Sequence, residues 1–171
     1  IWFNLAWVDP DYLQQEPFKA LADKGRDFSE EDKQTLFDGI FDLLQKVLPT
    51  HKALQEKGVI EVSTTPYAHP ILPLIYNSDL ALVGNPKAIN PKEAFTYPQD
   101  AIYHLNKSVE MYEEHFGKPA CGLWPGEGSV AEDIVPLVAK AGYQWMQTGE
   151  PVLVASLEMG GDKFNRDSNE V

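Results

Sequence analysis

Cysteine is almost missing from this sequence: Cys121 stands alone, so no disulfide can form within the chain and no redox compartment follows. Basic residues are scarce, 14 Lys and Arg against 26 Asp and Glu, giving a formal net charge of −12. That balance argues against nucleic acid and anionic membranes as partners, since both repel an acidic surface. Long apolar runs are absent, and none approaches the roughly 18 residues of a membrane span. No basic-then-apolar leader is visible in these residues; the compartment stays open, with the cytoplasm favoured as the expectation. The chain begins at Ile1, without Met and inside an apolar segment, and is expected to be a piece of something longer. Histidine is sparse, and no two of His51, His69, His104 and His115 stand at i, i+4 spacing. Neither a metal nor another cofactor is expected.

What remains is an ordinary globular composition, 43% hydrophobic and 23% charged over 171 residues, without repeats or low-complexity tracts. Such a chain can bury a sizeable core. Residues 1–171 are expected to form a single piece, with the polar stretch 160–171 as a mobile tail.

The most informative stretch is residues 122–130, Gly-Leu-Trp-Pro-Gly-Glu-Gly-Ser-Val. It follows the short apolar run 119–121 and precedes an apolar-periodic segment, so it reads as strand, tight turn, helix. Three glycines and a proline permit a bend that few other sequences adopt. Glu127 stands in that bend between Gly126 and Gly128, with Trp124 just behind it. Ser129 and Glu132 fit a capping box that would start the helix. A carboxylate between strand and helix lies at the carboxyl edge of an α/β sheet, where such folds keep their chemistry. The plainer reading is a solvated turn residue favoured by a helix N-terminus.

Residues 1–7 are aromatic and β-prone and predict a first strand, ended by the turn signal at Asp9-Pro10-Asp11. Residues 12–28 read as loop and a short helical turn. Ser29 with Glu30, Glu31 and Asp32 predicts a helix start, and Lys57-Gly58 its end, with a kink expected at Pro49. Leu36, Phe37, Ile40, Phe41, Leu44, Val47, Leu48, His51 and Leu54 keep helical spacing and predict a core-facing stripe. Residues 59–64 predict a second strand, and 65–75 an apolar loop with three prolines. Residues 79–97 read as irregular. A helix follows over 98–116, with Ile102, Leu105, Val109, Tyr112 and Phe116 inward. After the Glu127 motif come a helix over 131–141, bent or restarted by Pro136, a fourth strand over 143–147, and an apolar run at 152–157.

The alternation of strand and helix predicts an α/β fold with a parallel sheet and right-handed crossovers. The ends of the four strands, at Trp7, 64–69, 124–127 and 148–150, would then converge on one edge. Aromatic rings, hydroxyls, a histidine and two carboxylates gathered there suit a sugar. The candidate set is Glu127 as the chemical group, with His69, Trp124, Trp7, Thr65, Tyr67 and Glu150 as substrate-binding residues. His51, His104 and His115 fall on predicted helices and read as ordinary surface or boundary residues, and Glu61 as facing a helix or a charged partner.

Residues 61–70, Glu-Val-Ser-Thr-Thr-Pro-Tyr-Ala-His-Pro, and 122–130 resemble characteristic stretches of glycoside hydrolase family 57. Residues 3–7 and 145–148 are similar to strands of the same family, so the likeness covers most of the chain. The resemblance implies a fragment of an incomplete (β/α)7 TIM-like barrel and a retaining mechanism on α-glucans such as starch or pullulan. It maps the family's nucleophilic glutamate onto Glu127 and implies that His69 contacts sugar. Three departures stand out. The family's His-Gln-Pro motif is missing, and nothing after Glu150 resembles the motif of its acid/base aspartate. Gly149 stands where members often carry aspartate. The first two imply a central fragment, inactive in isolation, with the acid/base elsewhere. A non-catalytic sugar-binding module and a metal-dependent carbohydrate deacetylase are the alternatives. An α-glucan is the expected partner, and a second copy could cover the open sheet edge.

Overall fold

A capping box starts the longest element of the chain. In the computed structural model, which describes residues 1–161, the Ser29 hydroxyl accepts the Asp32 N–H and the Asp32 carboxylate accepts the Ser29 N–H. Helix α4 follows over Glu30–Glu56, with three acids in its first turn, where the helix dipole favours them. It runs through Pro49 and closes at Lys57. The described residues fall into two compact units, the first Ile1–Ile60, the second beginning at Glu61.

The first unit is entirely helical. α1 spans Trp2–Leu5, α2 Pro10–Leu13 and α3 Phe18–Lys24, all preceding α4. The strand expected over residues 1–7 is therefore corrected to one helical turn, in which the N–H groups of Leu5 and Ala6 reach the carbonyls of Ile1 and Trp2. β-propensity reflects packing on a sheet. With no neighbouring strand to pair with, the backbone here satisfies itself locally. Leu5, Phe18, Leu21 and Leu36 form the core of this unit. The expected inward stripe of α4 is also corrected: Leu36 is buried, but Phe37, Phe41, Leu44, Val47 and Leu48 are exposed. The cap carries a pH prediction. The Lys24 ammonium, then the Ser29 N–H, hold the Asp32 carboxyl down at about 2. A depressed carboxyl stabilises the folded chain above its ordinary value near 3.8, and loses that contribution as pH falls through about 2. Wild type should therefore resist acid unfolding better than Asp32→Asn above pH 4, the difference closing toward pH 2. Circular dichroism against pH checks this.

The second unit holds α5 Leu72–Tyr76, α6 Ala81–Gly84 and α7 Pro98–Phe116. Strand β1 Gly122–Leu123, α8 Val135–Lys140, β2 Trp145–Met146 and α9 Glu150–Met159 follow. The class is mixed helix and sheet, and the two strands pair in parallel, Gly122 beside Trp145 and Leu123 beside Met146. The second expected strand shrinks to one parallel bridge, Thr64 to Leu123. The Thr64 N–H reaches the Gly122 carbonyl at 3.1 Å, and the Trp124 N–H the Thr64 carbonyl at 2.7 Å. β1 is thus central, flanked by Thr64 and by β2. The helix over 98–116 stands as expected, except that Ala101 takes the buried place assigned to Ile102. The run at 152–157 lies within α9, and the stretch 65–75 ends in α5. From residue 162 on, the expected tail lies outside the described residues.

Leu72, Ala101, Leu105, Tyr112, Leu123, Ile134, Val138 and Tyr143 make one core, with Leu123 fully buried at the centre of the ladder. Two buried phenols tie it together. Tyr112 donates to the Val62 carbonyl at 2.8 Å, holding residues 61–64 on α7. The Ser108 hydroxyl donates to the Leu105 carbonyl, leaving its oxygen to accept the Tyr143 O–H at 2.7 Å. Burial pushes the Tyr143 phenol up. Trp145 laces all three parallel segments: its ring covers Gly122, where a Cβ would lie 2.1 Å from it, and its indole N–H donates to Glu61 at 2.9 Å. Glu61 thus faces an indole N–H, where a helix or a charged partner was expected.

Candidate functional site

Three turns leave the carboxyl ends of the parallel segments, and hydrogen bonds join them. The turn after β1 carries Glu127 and comprises a short 3-10 segment, Gly126–Gly128. The helix expected to start at Ser129 instead begins with a 3-10 turn at Glu132–Ile134, entered from Ala131 without a side-chain cap, and α8 restarts it at Val135, with Pro136 in its first turn. Residues 129–131 stay extended or irregular, so the Ser129–Glu132 box does not form.

Backbone strain gathers in this region. Among the described residues, four non-glycine residues have positive φ, and three of them are Ala68 at 59°, His69 at 54° and Glu127 at 55°. The His69 N–H closes a turn onto the Pro66 carbonyl at 2.8 Å, with Ala68 at the position where such turns favour glycine. Left-handed backbone at a residue with a Cβ costs about 1–2 kcal/mol and persists where surroundings enforce it. One enforcing contact is Gly126. A Cβ there would lie 2.3 Å from the Pro70 carbonyl oxygen and 3.3 Å from that of His69. The two turns therefore dock backbone to backbone, and only glycine fits the join. The third turn is fixed by Thr148, whose hydroxyl donates to the Gly128 carbonyl at 2.6 Å.

This docking brings His69 Nε2 to 3.3 Å from Glu127 Oε1. On the other side of the ring, Thr65 Oγ1 lies 2.7 Å from His69 Nδ1. The Glu127 side chain is 74% exposed and that of His69 46%. A polar contact as wet as that adds about 0–1 kcal/mol to stability, so its interest lies in orientation. Tyr67 is held on α7 by a reciprocal pair: its N–H donates to the His104 carbonyl at 3.1 Å and its carbonyl accepts His104 Nδ1–H at 2.6 Å. The Tyr67 ring stacks on His104 at 6.1 Å and meets Tyr103 edge-on at 6.3 Å.

The structure thus joins Glu127, His69 and Thr65 directly, with Tyr67 in the same turn as His69. Trp124, 44% exposed, stands at the start of the Glu127 turn, next to the Thr64 bridge. Glu150 opens α9 two residues beyond Thr148. Trp7 ends no strand. It belongs to the first unit, on the turn after α1, where it lines an apolar groove of about 450 Å³ with Phe3, Ile40, Leu43, Leu44 and Val47. Gly126, Thr148 and His104 hold the arrangement and were outside the sequence-based set. Gly126 and Thr148 lay within the stretches already singled out, whereas His104 on its helix gave no signal. Among the described residues, no group of three or more His, Cys, Asp or Glu is placed to hold a metal ion. No helix among them is long and apolar enough to cross a membrane.

Compared with known proteins, residues 1–168 match the model of the family described as Glycosyl hydrolase family 57. No curated protein and no solved structure matches.

Proposed function

This chain belongs to glycosyl hydrolase family 57, and from that membership we propose that it supplies the nucleophile region of a retaining enzyme acting on α-glucans. The observation that carries the reading is Glu127. It stands in a strained turn at the carboxyl end of the central strand, with one carboxylate oxygen 3.3 Å from His69 and most of the side chain open to solvent. Strained residues that hold a reactive group in one place are characteristic of active sites.

In this reading a Glu127 oxygen attacks the anomeric carbon of an α-linked glucose. The glycosidic C–O bond breaks, its electron pair leaves with the departing sugar oxygen, and a second carboxyl donates the proton that oxygen needs. Water then gives a proton back to that second carboxylate and attacks the anomeric carbon of the glycosyl ester, whose bond to Glu127 breaks, restoring the Glu127 carboxylate with net retention. The second carboxyl is assigned to an aspartate outside these residues, so the isolated chain is expected to be inactive. Trp124 and Tyr67 offer ring faces to the C–H surfaces of the sugar, and the three turns belong to consecutive strands of an incomplete (β/α)7 barrel.

The test is chemical trapping in the longest polypeptide carrying this sequence. An activated 5-fluoro-α-glucosyl fluoride should leave a slowly hydrolysed glycosyl group on the peptide containing Glu127, seen by mass spectrometry. The first product from maltooligosaccharide should have the α configuration by proton NMR. Label on another carboxylate, or a β product, overturns the proposal.

A further inference from the structure

The contact between Thr65 and His69 assigns a task to Thr65 other than touching sugar. We infer that Thr65 is a positioning residue: its hydroxyl anchors the His69 ring in the orientation that presents Nε2–H to Glu127. This inference rests on the reading of Glu127 as nucleophile only for its kinetic consequence.

Proton bookkeeping carries the argument. An ionised carboxylate can only accept, so at 3.3 Å from Glu127 Oε1 His69 Nε2 must bear the hydrogen. In a neutral imidazole Nδ1 is then a bare lone pair. The nearest group to it is the Thr65 hydroxyl, at 2.7 Å, which donates into that lone pair. The hydroxyl can donate or accept, and the carboxylate sets the tautomer; removing the hydroxyl takes away the anchor at Nδ1 that keeps Nε2–H turned toward the carboxylate oxygen. The ring also loses one of its two hydrogen-bonded ends, and at 46% exposure packing does little to stop it rotating.

The backbone delivers the pair to that geometry. Thr65 and His69 are four residues apart and can meet only because the chain reverses between them, through the turn closed by the His69 N–H and Pro66 carbonyl. Tyr67, at the centre of that turn, is pinned to His104, and Pro70 just beyond it is pressed against Gly126. The turn between Thr65 and His69 is thus fixed to α7 and docked on the turn that carries Glu127. The result leaves Glu127 Oε1 engaged and the second oxygen available to attack.

Nitrogen-15 NMR of the full chain at a pH where His69 is neutral reads the tautomer without reference to activity. Wild type should show His69 protonated at Nε2 with an Nδ1 shift typical of a hydrogen-bonded acceptor. Thr65→Ser should reproduce that spectrum, and Thr65→Val, which keeps the branched shape, should move both nitrogens toward averaged values. A wild-type His69 that is averaged or protonated at Nδ1 overturns the inference, whether or not the valine variant folds. In the longest polypeptide carrying this sequence, Thr65→Val should lower kcat roughly five- to tenfold with little change in KM, the size of one neutral hydrogen bond. Thr65→Ser should restore it. An unchanged tautomer with a raised KM would instead make Thr65 a sugar contact. Failure of the Glu127 trapping experiment with the expected tautomers would sink the nucleophile assignment and leave the positioning role intact.

Discussion

Gly126→Ala is expected to lose the His69–Glu127 contact and to unfold at a markedly lower temperature than wild type. The atoms that a new Cβ would meet are backbone: the Pro70 carbonyl oxygen at 2.3 Å and its carbon at 2.9 Å, with the His69 oxygen at 3.3 Å. A flexible side chain could swing away, but a carbonyl inside a turn already strained at Ala68 and His69 cannot. The two turns must therefore separate by about an ångström, and overpacking of that kind costs about 1–3 kcal/mol. Gly128→Ala is the informative control. Gly128 has φ +65, so alanine there is strained, but the nearest atom to its Cβ would be Gly149 N at 3.9 Å. That variant should cost about 1–2 kcal/mol from backbone alone and keep His69 beside Glu127. Thermal unfolding by circular dichroism gives the stabilities, and the His69 ring shifts report the contact. A Gly126→Ala protein with wild-type stability and unchanged His69 shifts would refute the backbone docking.

How far the sequence carried can be judged element by element. Helices α4 and α7 were legible because local signals agree with tertiary outcome: Ser29 followed by three acids and a stop at Lys57-Gly58 for one, apolar spacing ending at Gly117 for the other. The Glu127 turn and the parallel strand before it were legible for a similar reason, since glycine, proline and a preceding apolar run leave few options. Residues 1–7 were not. Their aromatic composition suits a strand only where a sheet receives it, and in the structure Leu5 instead joins Phe18, Leu21 and Leu36. Residues 59–64 failed more gently, with only Thr64 keeping a ladder partner. The meeting of His69 and Glu127, 58 residues apart, was inferred from strand ends converging on one edge. The means of that meeting was not, because nothing in a sequence says that Gly126 is needed for room against Pro70.

Glu127→Gln, in the longest polypeptide carrying this sequence, should abolish nearly all hydrolysis while leaving substrate affinity largely intact. The amide keeps the size of the carboxylate, its exposure and the left-handed backbone at φ 55, so the turn is unchanged. It cannot attack the anomeric carbon to form the glycosyl ester. The loss should therefore fall on kcat, with KM moving much less. The backbone supplies a second, sharper variant. At φ 55 glycine is the most comfortable residue, so Glu127→Gly relieves strain of about 1–2 kcal/mol, against an entropic cost of about 0.5–1 kcal/mol. It should unfold at nearly the wild-type temperature, so a loss of activity could not be blamed on a damaged fold. The vacated space admits azide or formate, either of which should partly restore turnover as an external nucleophile and give a product of inverted configuration. Glu127→Ala should respond in the same way but with lower stability, since alanine keeps the strain. A Gln variant retaining more than about a tenth of wild-type kcat, a deficit near 1.4 kcal/mol, would remove Glu127 from the nucleophile's role. The strained turn and its histidine contact would then be scaffold for a reacting group elsewhere.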